Sequence, residues 1–476
     1  MKAREFAGNS SVRFGTSGLR GLAAELSDAV CFAYVSAFLR MLGTSSGDEV
    51  ALGMDLRPSS PGIASACAAA IHHHGARIDF CGRLSTPALA FYSARKRIPA
   101  VMVTGSHIPF DRNGIKFYRA EGEISKEDEA AIGETEIAVP EALAPVCLGS
   151  PNPDAATVYI ERYLSFFPQD ALSGMKIGFY QHSSVAREAL TEILERLGAT
   201  VTPLGRTDAF VPVDTEAVSP DDIARARGWA REGGFDALIS TDGDADRPLI
   251  ADQHGNWLRG DVVGILCASF FRADAVVTTV NCTTALEKCG RFPCVRRTRI
   301  GSPYVIEGIK SCLEEGYRRV VGFEPNGGFM LGSDIERDGC FMGALLTRDA
   351  VLPILCALAM ARSSGAGLPE CLERLPPRFT ASGRLAACPV EKSGVVLSRL
   401  KTHQGAVENL FGKIGGRPLH QNETDGLRIS FENGEIIHLR PSGNAPEFRI
   451  YAEAASQARA DMLVRAALAA VEENLS

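Results

Sequence analysis

The apolar positions repeat a plan before any single residue stands out. "ALGMDLRPSSPGIASACAAAIHHHGARIDFCGR" (51–83) and "KIGFYQHSSVAREALTEILERLGATVTPLGR" (176–206) each run from a short apolar stretch through a polar Ser-Ser turn into a helix. Each then meets a Gly-Ala stop and a second apolar stretch. On a helical period Ile63, Cys67, Ala70 and Ile71 share one face, as do Val185, Ala189, Leu190, Ile193 and Leu197. Gly75 and Gly198 fall where helices end on a left-handed residue. A looser copy lies at 275–301. Strand–helix–strand units pair their strands in parallel and cross over, so α/β domains are expected. Copies this long read as repeated domains, not a solenoid.

Toward the end the rhythm changes. "GLRISFENGEIIHLRPSGNAPEFRIYAEA" (426–454) alternates as strands do, with Asn433-Gly434 marking a hairpin and a helix expected over 456–473. That pattern describes an α+β unit. Seams between units are expected at 144–153, 252–260 and 372–383.

Composition narrows the picture. A chain of 476 residues exceeds one ordinary core, so about two to four domains are expected. With 45% hydrophobic and 22% charged residues it has the balance of a soluble globular protein. The longest apolar run, "VLPILCALAMA" (351–361), falls short of the roughly 20 residues that span a bilayer and reads as a buried helix. No signal-type stretch opens the chain, so a cytoplasmic location without a membrane partner is expected. Thirteen cysteines without CxxC spacing point to reduced thiols. A net charge of −7 with no Lys/Arg-rich block argues against nucleic acid as a partner. His72, His73 and His74 end a helix, where imidazoles suit the dipole; consecutive helical residues do not face one metal.

Four polar loops follow or flank apolar runs, where ligands of parallel α/β domains sit. "RFGTSGLRG" (13–21) sets Arg20 among three glycines; taken alone it is a Gly-rich turn as readily as a ligand loop. "VTGSHIPFDRNGIKFY" (103–118) presents Ser106 at a strand end, with His107 beside it and Lys116 farther on. A nucleophilic serine needs a base or a cation. No GxSxG frames this one, and adjacent side chains on an extended chain point apart, so the Ser-His pair alone reads as structural. "FDALISTDGDADRPLI" (235–250) carries Asp242, Asp244 and Asp246 on a tight turn, where they can converge on one hard cation. It is not an EF-hand, since Arg247 and Gln253 stand at the sixth and twelfth positions. Without a cation each pair of carboxylates about 4 Å apart would cost about 4 kcal/mol at an effective dielectric of about 20. Around a divalent ion the site stays negative, so Arg247 is needed to admit a phosphate, and a phosphate on Ser106 would complete the shell. "HLRPSGNAPEFRIY" (438–451) offers Arg440, Ser442, Gly443 and Asn444 to a phosphate that is bound but not transferred. Glu324 and Asn326 in "GFEPNGGFMLG" (322–332) suit sugar hydroxyls, and "TRIGSPYVIEG" (298–308), with Ser302, shapes the ligand's other side.

Together these loops resemble the α-D-phosphohexomutase family of phosphoglucomutases and phosphomannomutases, in that family's order over almost the whole chain. The stretches are "FGTSGLRG", "TGSHIPFDRNGIKF", "DGDADR", "GFEPNGG" and "RPSGNAPE", with smaller echoes in "GMDLRPSS", "STPA" and "DGLRI". The resemblance implies a central cleft between four domains. Three would be related α/β domains with mixed sheets, at 1–148, 149–252 and 253–374, and an α+β domain would follow at 375–476. It implies phosphorylation of Ser106 and Mg²⁺ held by Ser106, Asp242, Asp244 and Asp246. Lys116 and Arg20 match acid/base positions, with His107 and Arg247 beside them. Glu324, Asn326 and Ser302 match sugar contacts, and Arg440, Ser442, Gly443 and Asn444 a phosphate clamp.

The implied reaction interconverts hexose 6-phosphate and hexose 1-phosphate through a hexose 1,6-bisphosphate, in a monomer or homodimer whose partner is a phosphosugar. "EPNGG" leans toward phosphomannomutase over phosphoglucomutase. A metal-dependent sugar phosphatase, which gives the phosphoryl group to water, is the alternative from another class. Two departures from the family pattern stand out. Ile108 replaces an asparagine and is expected to loosen its turn, and Gly328 stands where some members carry a histidine, which removes a second imidazole.

Overall fold

The computed structural model describes residues 1–15, 18–143, 146–365, 367–386, 388–403, 405–441 and 447–474. Each of its first three large sheets is built on one parallel strand–helix–strand unit, as the repeat predicts. Strands Glu49–Met54 and Arg77–Arg83 flank the helix Ser60–His73, and Lys176–Tyr180 and Thr200–Leu204 flank Arg187–Arg196. The third copy, Ala275–Thr279 and Cys294–Thr298, spans a helix of little more than one turn, Ala285–Lys288. Ile63, Cys67, Ala70 and Ile71 are buried, as are Leu190, Ile193 and Leu197. Val185 lies before its helix, which starts at Arg187. Gly75 and Gly198 follow the two helix ends at φ 73° and 93°, a conformation that costs glycine nothing.

What the repeat does not reveal is the next step, which is the same in all three sheets. A further strand runs parallel to the first and then doubles back in an antiparallel pair. Ala100–Val103 returns as Arg112–Arg119, Ala237–Thr241 as Pro248–Ala251, and Val320–Phe323 as Phe329–Leu331. The outgoing strands are buried at every residue, as strands covered on both faces must be. The three connecting loops hold Ser106, the aspartate trio and Glu324. Ladder hydrogen bonds on both sides pin each loop at its ends.

One apolar cluster runs through these three units, joining Tyr92, Tyr118, Tyr163, Phe179, Phe323 and Leu355. "VLPILCALAMA" lies in the helix Val351–Ser364, with ten buried residues. The last unit is separate in this respect. Its antiparallel sheet places Phe379–Leu385, Phe448–Ala454, Ile436–Pro441, Leu427–Phe431 and Pro418–Asn422 side by side, packed on a core of its own that includes Phe411, Ile437 and Val471. Gly434, at φ 80°, turns the hairpin, and the closing helix is Gln457–Glu473. Polar contacts join this unit to the third. Glu453 accepts from Thr284 N at 3.0 Å and Thr284 Oγ1 at 2.5 Å, and Asp425 accepts from Ile300 N at 2.9 Å. All thirteen cysteines are free thiols, and no described helix is long and apolar enough to cross a membrane.

His438, on strand Ile436–Pro441, donates from Nε2 to the Asp425 carbonyl at 2.6 Å, and its Nδ1 is buried without a partner among the described residues. Burial, against a smaller raising effect of the Asp425 carbonyl, pulls this imidazole down to about 4 from 6.5. The unfolded chain therefore takes a proton that the folded chain refuses, and stability is lost as pH falls from about 6.5 toward about 4. Between pH 7 and pH 5 this one group should cost about 2 kcal/mol. His438→Gln, which keeps an N–H donor, should flatten the unfolding free energy against pH by that amount in denaturant titrations. Parallel slopes for the two proteins would refute the assignment.

Candidate active site

The aspartate turn is the centre of the site. Strand Ala237–Thr241 delivers Asp242, the chain turns through Ala245 at φ 55°, and Asp242 N donates to the Arg247 carbonyl at 3.1 Å. Asp242, Asp244 and Asp246 are buried, and one oxygen from each lies within 4.8 Å of the others. Asp244 Oδ1 and Asp246 Oδ1 have no hydrogen-bond partner among the described residues. Buried carboxylate oxygens gathered this closely, two of them without a hydrogen bond, fit a hard divalent cation. Burial, and then the charges of Asp244 and Asp246, raise the Asp242 carboxyl well above its usual range. Asp246 goes the other way: burial would raise it, but the charges of Arg348, Lys116 and Arg247 hold it well below.

Ser106 meets this turn from the first unit. Its Oγ donates to Asp242 Oδ2 at 2.5 Å, across 136 residues of sequence. Its backbone is left-handed, at φ 52°, and this overturns one sequence expectation. The chain is not extended here, so Ser106 Oγ and His107 Nδ1 do not point apart but lie 3.3 Å from each other. His107 Nε2 faces Arg247 Nη1 at 3.4 Å. A guanidinium can only donate, so Nε2 accepts and the ring proton sits on Nδ1. Burial, then the charges of Arg247 and Arg20, push this imidazole well below its ordinary value. His107 is thus a neutral donor toward Ser106, not a base for it.

The other cations come from three units. Lys116 Nζ donates to Asp244 Oδ2 and Asp246 Oδ2, each at 2.7 Å. Burial lowers its pKa, but the two carboxylates outweigh that and keep the ammonium charged. Arg247 Nε lies 3.5 Å from Asp246 Oδ1. Arg20, on strand Leu19–Leu22, is pulled down to about 10 by burial and by the charges of Arg247 and Arg348. Its Nη2 is buried without a hydrogen-bond partner among the described residues, a donor available to an anion. Glu324, buried, pairs with Arg348 at 3.1 Å.

The remaining predicted residues divide. Asn326 is buried beside Glu324, but its Oδ1 accepts from Gly328 N at 2.9 Å and its carbonyl accepts from Thr215 Oγ1 at 2.7 Å. Its side-chain oxygen thus shapes the loop. Ser302 Oγ donates to Glu123 Oε2 at 2.9 Å, across the joint with the first unit. Arg440 Nε donates to Asp425 Oδ1 at 2.9 Å. Ser442, Gly443 and Asn444 lie outside the described residues. Arg449 stands directly opposite Arg440 in the sheet and lines a cleft of about 380 Å³ with His107, Glu216, Arg247, Arg384 and Tyr451. The cleft therefore has Ser106's neighbour on one wall and the last sheet on the other.

Sequence reasoning missed three residues. Thr86, in the "STPA" echo, donates from Oγ1 to Asp244 Oδ2 at 2.5 Å. Arg348 has no local motif at all. Arg57, in "GMDLRPSS", donates to the carbonyls of Ser106 at 2.9 Å, Ile108 at 2.6 Å, Pro109 at 2.7 Å and Arg112 at 2.9 Å. Asp55 pairs with Arg57 at 3.3 Å, and the guanidinium carbon lies 4.0 Å from the centroid of the Phe210 ring. This cage corrects the expectation for Ile108: the turn does not loosen, because one guanidinium holds its backbone. Arg57→Met should cost about 3–5 kcal/mol of stability, the price of stranding a buried charge and four carbonyls. Arg57→Lys should recover little of it, since one ammonium cannot span the four acceptors. Chemical denaturation of both variants checks this; full recovery by lysine would contradict the cage.

The chain matches four family models in succession. These are the phosphoglucomutase/phosphomannomutase alpha/beta/alpha domains I, II and III, over 11–138, 157–255 and 259–379, and the C-terminal domain over 386–470. It is 45% identical over 468 residues to a phosphomannomutase of Salmonella muenchen, covering 98% of this chain and 97% of the relative. A phosphomannomutase of Sinorhizobium fredii is 45% identical over 474 residues, covering 97% and 99%. A crystal structure of a phosphoglucomutase/phosphomannomutase family protein from Burkholderia thailandensis superposes with a TM-score of 0.71 at 19% identity, over 96% of this chain and 97% of that one. Four domain models in order, and relatives this similar over nearly the full length, place the chain in the phosphoglucomutase/phosphomannomutase family.

Proposed function

We propose that this protein is a phosphohexomutase, a phosphomannomutase in the first place, that interconverts hexose 6-phosphate and hexose 1-phosphate through a phosphoserine at Ser106 and a hexose 1,6-bisphosphate. The observation that carries the reading is the 2.5 Å contact between Ser106 Oγ and Asp242 inside the carboxylate trio, beside a cleft walled by arginines. The two relatives at 45% identity, both named phosphomannomutase, favour mannose phosphates.

In this reading the bond from Ser106 Oγ to phosphorus breaks, a bond from the sugar oxygen to phosphorus forms, and the proton of the sugar hydroxyl ends on Ser106 Oγ. The bisphosphate turns in the cleft and returns its other phosphoryl group to Ser106. A divalent cation on Asp242, Asp244, Asp246 and the phosphoserine would stabilise charge on the transferring group, and Mg²⁺ suits a donor set made only of oxygen. The chain's own residues supply alignment. The Arg57 cage fixes the Ser106 backbone, and His107 donates toward Ser106 Oγ. Lys116, kept charged by two carboxylates, and the Arg20 guanidinium serve as charge partners of the transferring group. Arg440 and Arg449 take the phosphate that is not being transferred, and Glu324 orients the sugar.

Ser106→Ala should lower turnover at least a thousandfold, roughly the loss expected when a covalent nucleophile is removed. The isolated wild-type protein should carry the mass of one phosphoryl group on Ser106, restored by a hexose 1,6-bisphosphate after dephosphorylation. Near-normal activity in the variant, read with mannose 1-phosphate and glucose 1-phosphate side by side, would sink the proposal. Steady release of inorganic phosphate would point instead to a hydrolase. Treatment with a chelator should abolish turnover, and added Mg²⁺ should return it; activity indifferent to both would remove the cation from the reaction.

A further inference from the structure

Arg348 reaches the site from strand Leu345–Asp349 of the third unit and is buried. Its Nε and Nη2 both donate to Asp246 Oδ2, at 3.1 and 3.0 Å, while Nη1 donates to Glu324 Oε2 at 3.1 Å. One rigid fork therefore holds a carboxylate of the aspartate turn and a carboxylate of the Glu324 loop in a fixed relation. Its stem runs over Gly328. A Cβ on that glycine would meet Arg348 Cδ at 2.4 Å and Cγ at 2.7 Å. Gly328 has an ordinary backbone conformation, absent from the positive-φ glycines, so it is the passing arginine and not the turn that excludes a side chain here. Next to Arg348, Thr347 Oγ1 donates to Glu123 Oε1 at 2.6 Å, which ties the same strand to the first unit.

We propose that Arg348 is a positioning residue for the reaction above: it couples the aspartate turn to the Glu324 loop and acts as a permanent counter-charge to Asp246, in the space that Gly328 leaves. A guanidinium remains charged throughout the working pH range, so this group cannot carry a proton as an imidazole would. Its roles are to fix Glu324 and to moderate how strongly the carboxylates draw a cation. The inference rests on the proposed function for its kinetic part alone.

The two roles separate by sign. Arg348→Met keeps a stem and removes the charge, so Mn²⁺ should bind about tenfold more tightly by calorimetry at pH 8, because a competing cation has gone. In the same protein kcat should fall about a hundredfold and KM for the hexose phosphate should rise about tenfold as Glu324 loses its anchor. A loss of structure alone would weaken Mn²⁺ binding, the opposite direction. Arg348→Lys should return Mn²⁺ affinity to near the wild-type value without returning KM, since one ammonium lacks the fork that spans both carboxylates. Gly328→Ala keeps the charge but displaces the stem, and should raise KM and lower kcat as Arg348→Met does; if the methionine variant fails to fold, this one decides. Unchanged Mn²⁺ affinity in folded Arg348→Met, full kinetic rescue by lysine, or wild-type kinetics in Gly328→Ala would each overturn the proposal. A wild-type protein that binds Mn²⁺ yet turns over no hexose phosphate would remove the functional reading, while the Mn²⁺ measurements would still decide where Arg348 acts.

Discussion

Three carboxylates confined within 4.8 Å of one another, out of reach of water, set the terms for everything around them. At that spacing each pair repels by several kcal/mol, about 3–4 at an effective dielectric near 20, so the turn is tenable only if cations reach it. They do so from three directions: Lys116 from the first unit, Arg247 from the second and Arg348 from the third. No single unit carries enough charge to close the cluster. The electrostatic demand of one turn is thus also an assembly rule, since it is met only when the three repeated units stand together. The continuous apolar core through the same three units supplies the mechanical counterpart.

The repeat explains how three loops arrive at one place. In each unit a strand buried on both faces ends at the carboxyl edge of its sheet and is answered by an antiparallel return. The same backbone device then carries different chemistry: a hydroxyl in the first copy, carboxylates in the second, and a carboxylate on a Gly-rich turn in the third. Function differs through loop composition while the frame is held constant.

Much of this was legible in the chain. Periodicity exposed the strand–helix–strand units and the different last unit, and the spacing of Asp242, Asp244 and Asp246 on a turn announced a cation site before any fold was known. These features are local, and local patterns leave marks in sequence. The contacts that organise the site are not local. Thr86 reaches Asp244 across 158 residues, and Arg348 reaches Asp246 across 102. An arginine in "LTRDA" looks like any surface arginine until the sheets are assembled. Ser302 and Arg440 were legible as polar residues in ligand loops, but sequence could not disclose that Glu123 and Asp425 engage their side chains. Only the direction of His107 relative to Ser106 was misjudged, and for a backbone reason, because sterics gave no cause to expect a serine in left-handed conformation beside it.

That left-handed serine carries a consequence for the protein's history. At φ 52° a glycine would rest easily, whereas a residue with a side chain gives up about 1–2 kcal/mol to stay there. Drift toward a sturdier fold would therefore favour glycine here, and under the proposed function only the demand for a hydroxyl opposes that drift. A descendant released from that demand should lose this serine early, with its scaffold left intact and somewhat hardier than the ancestor's.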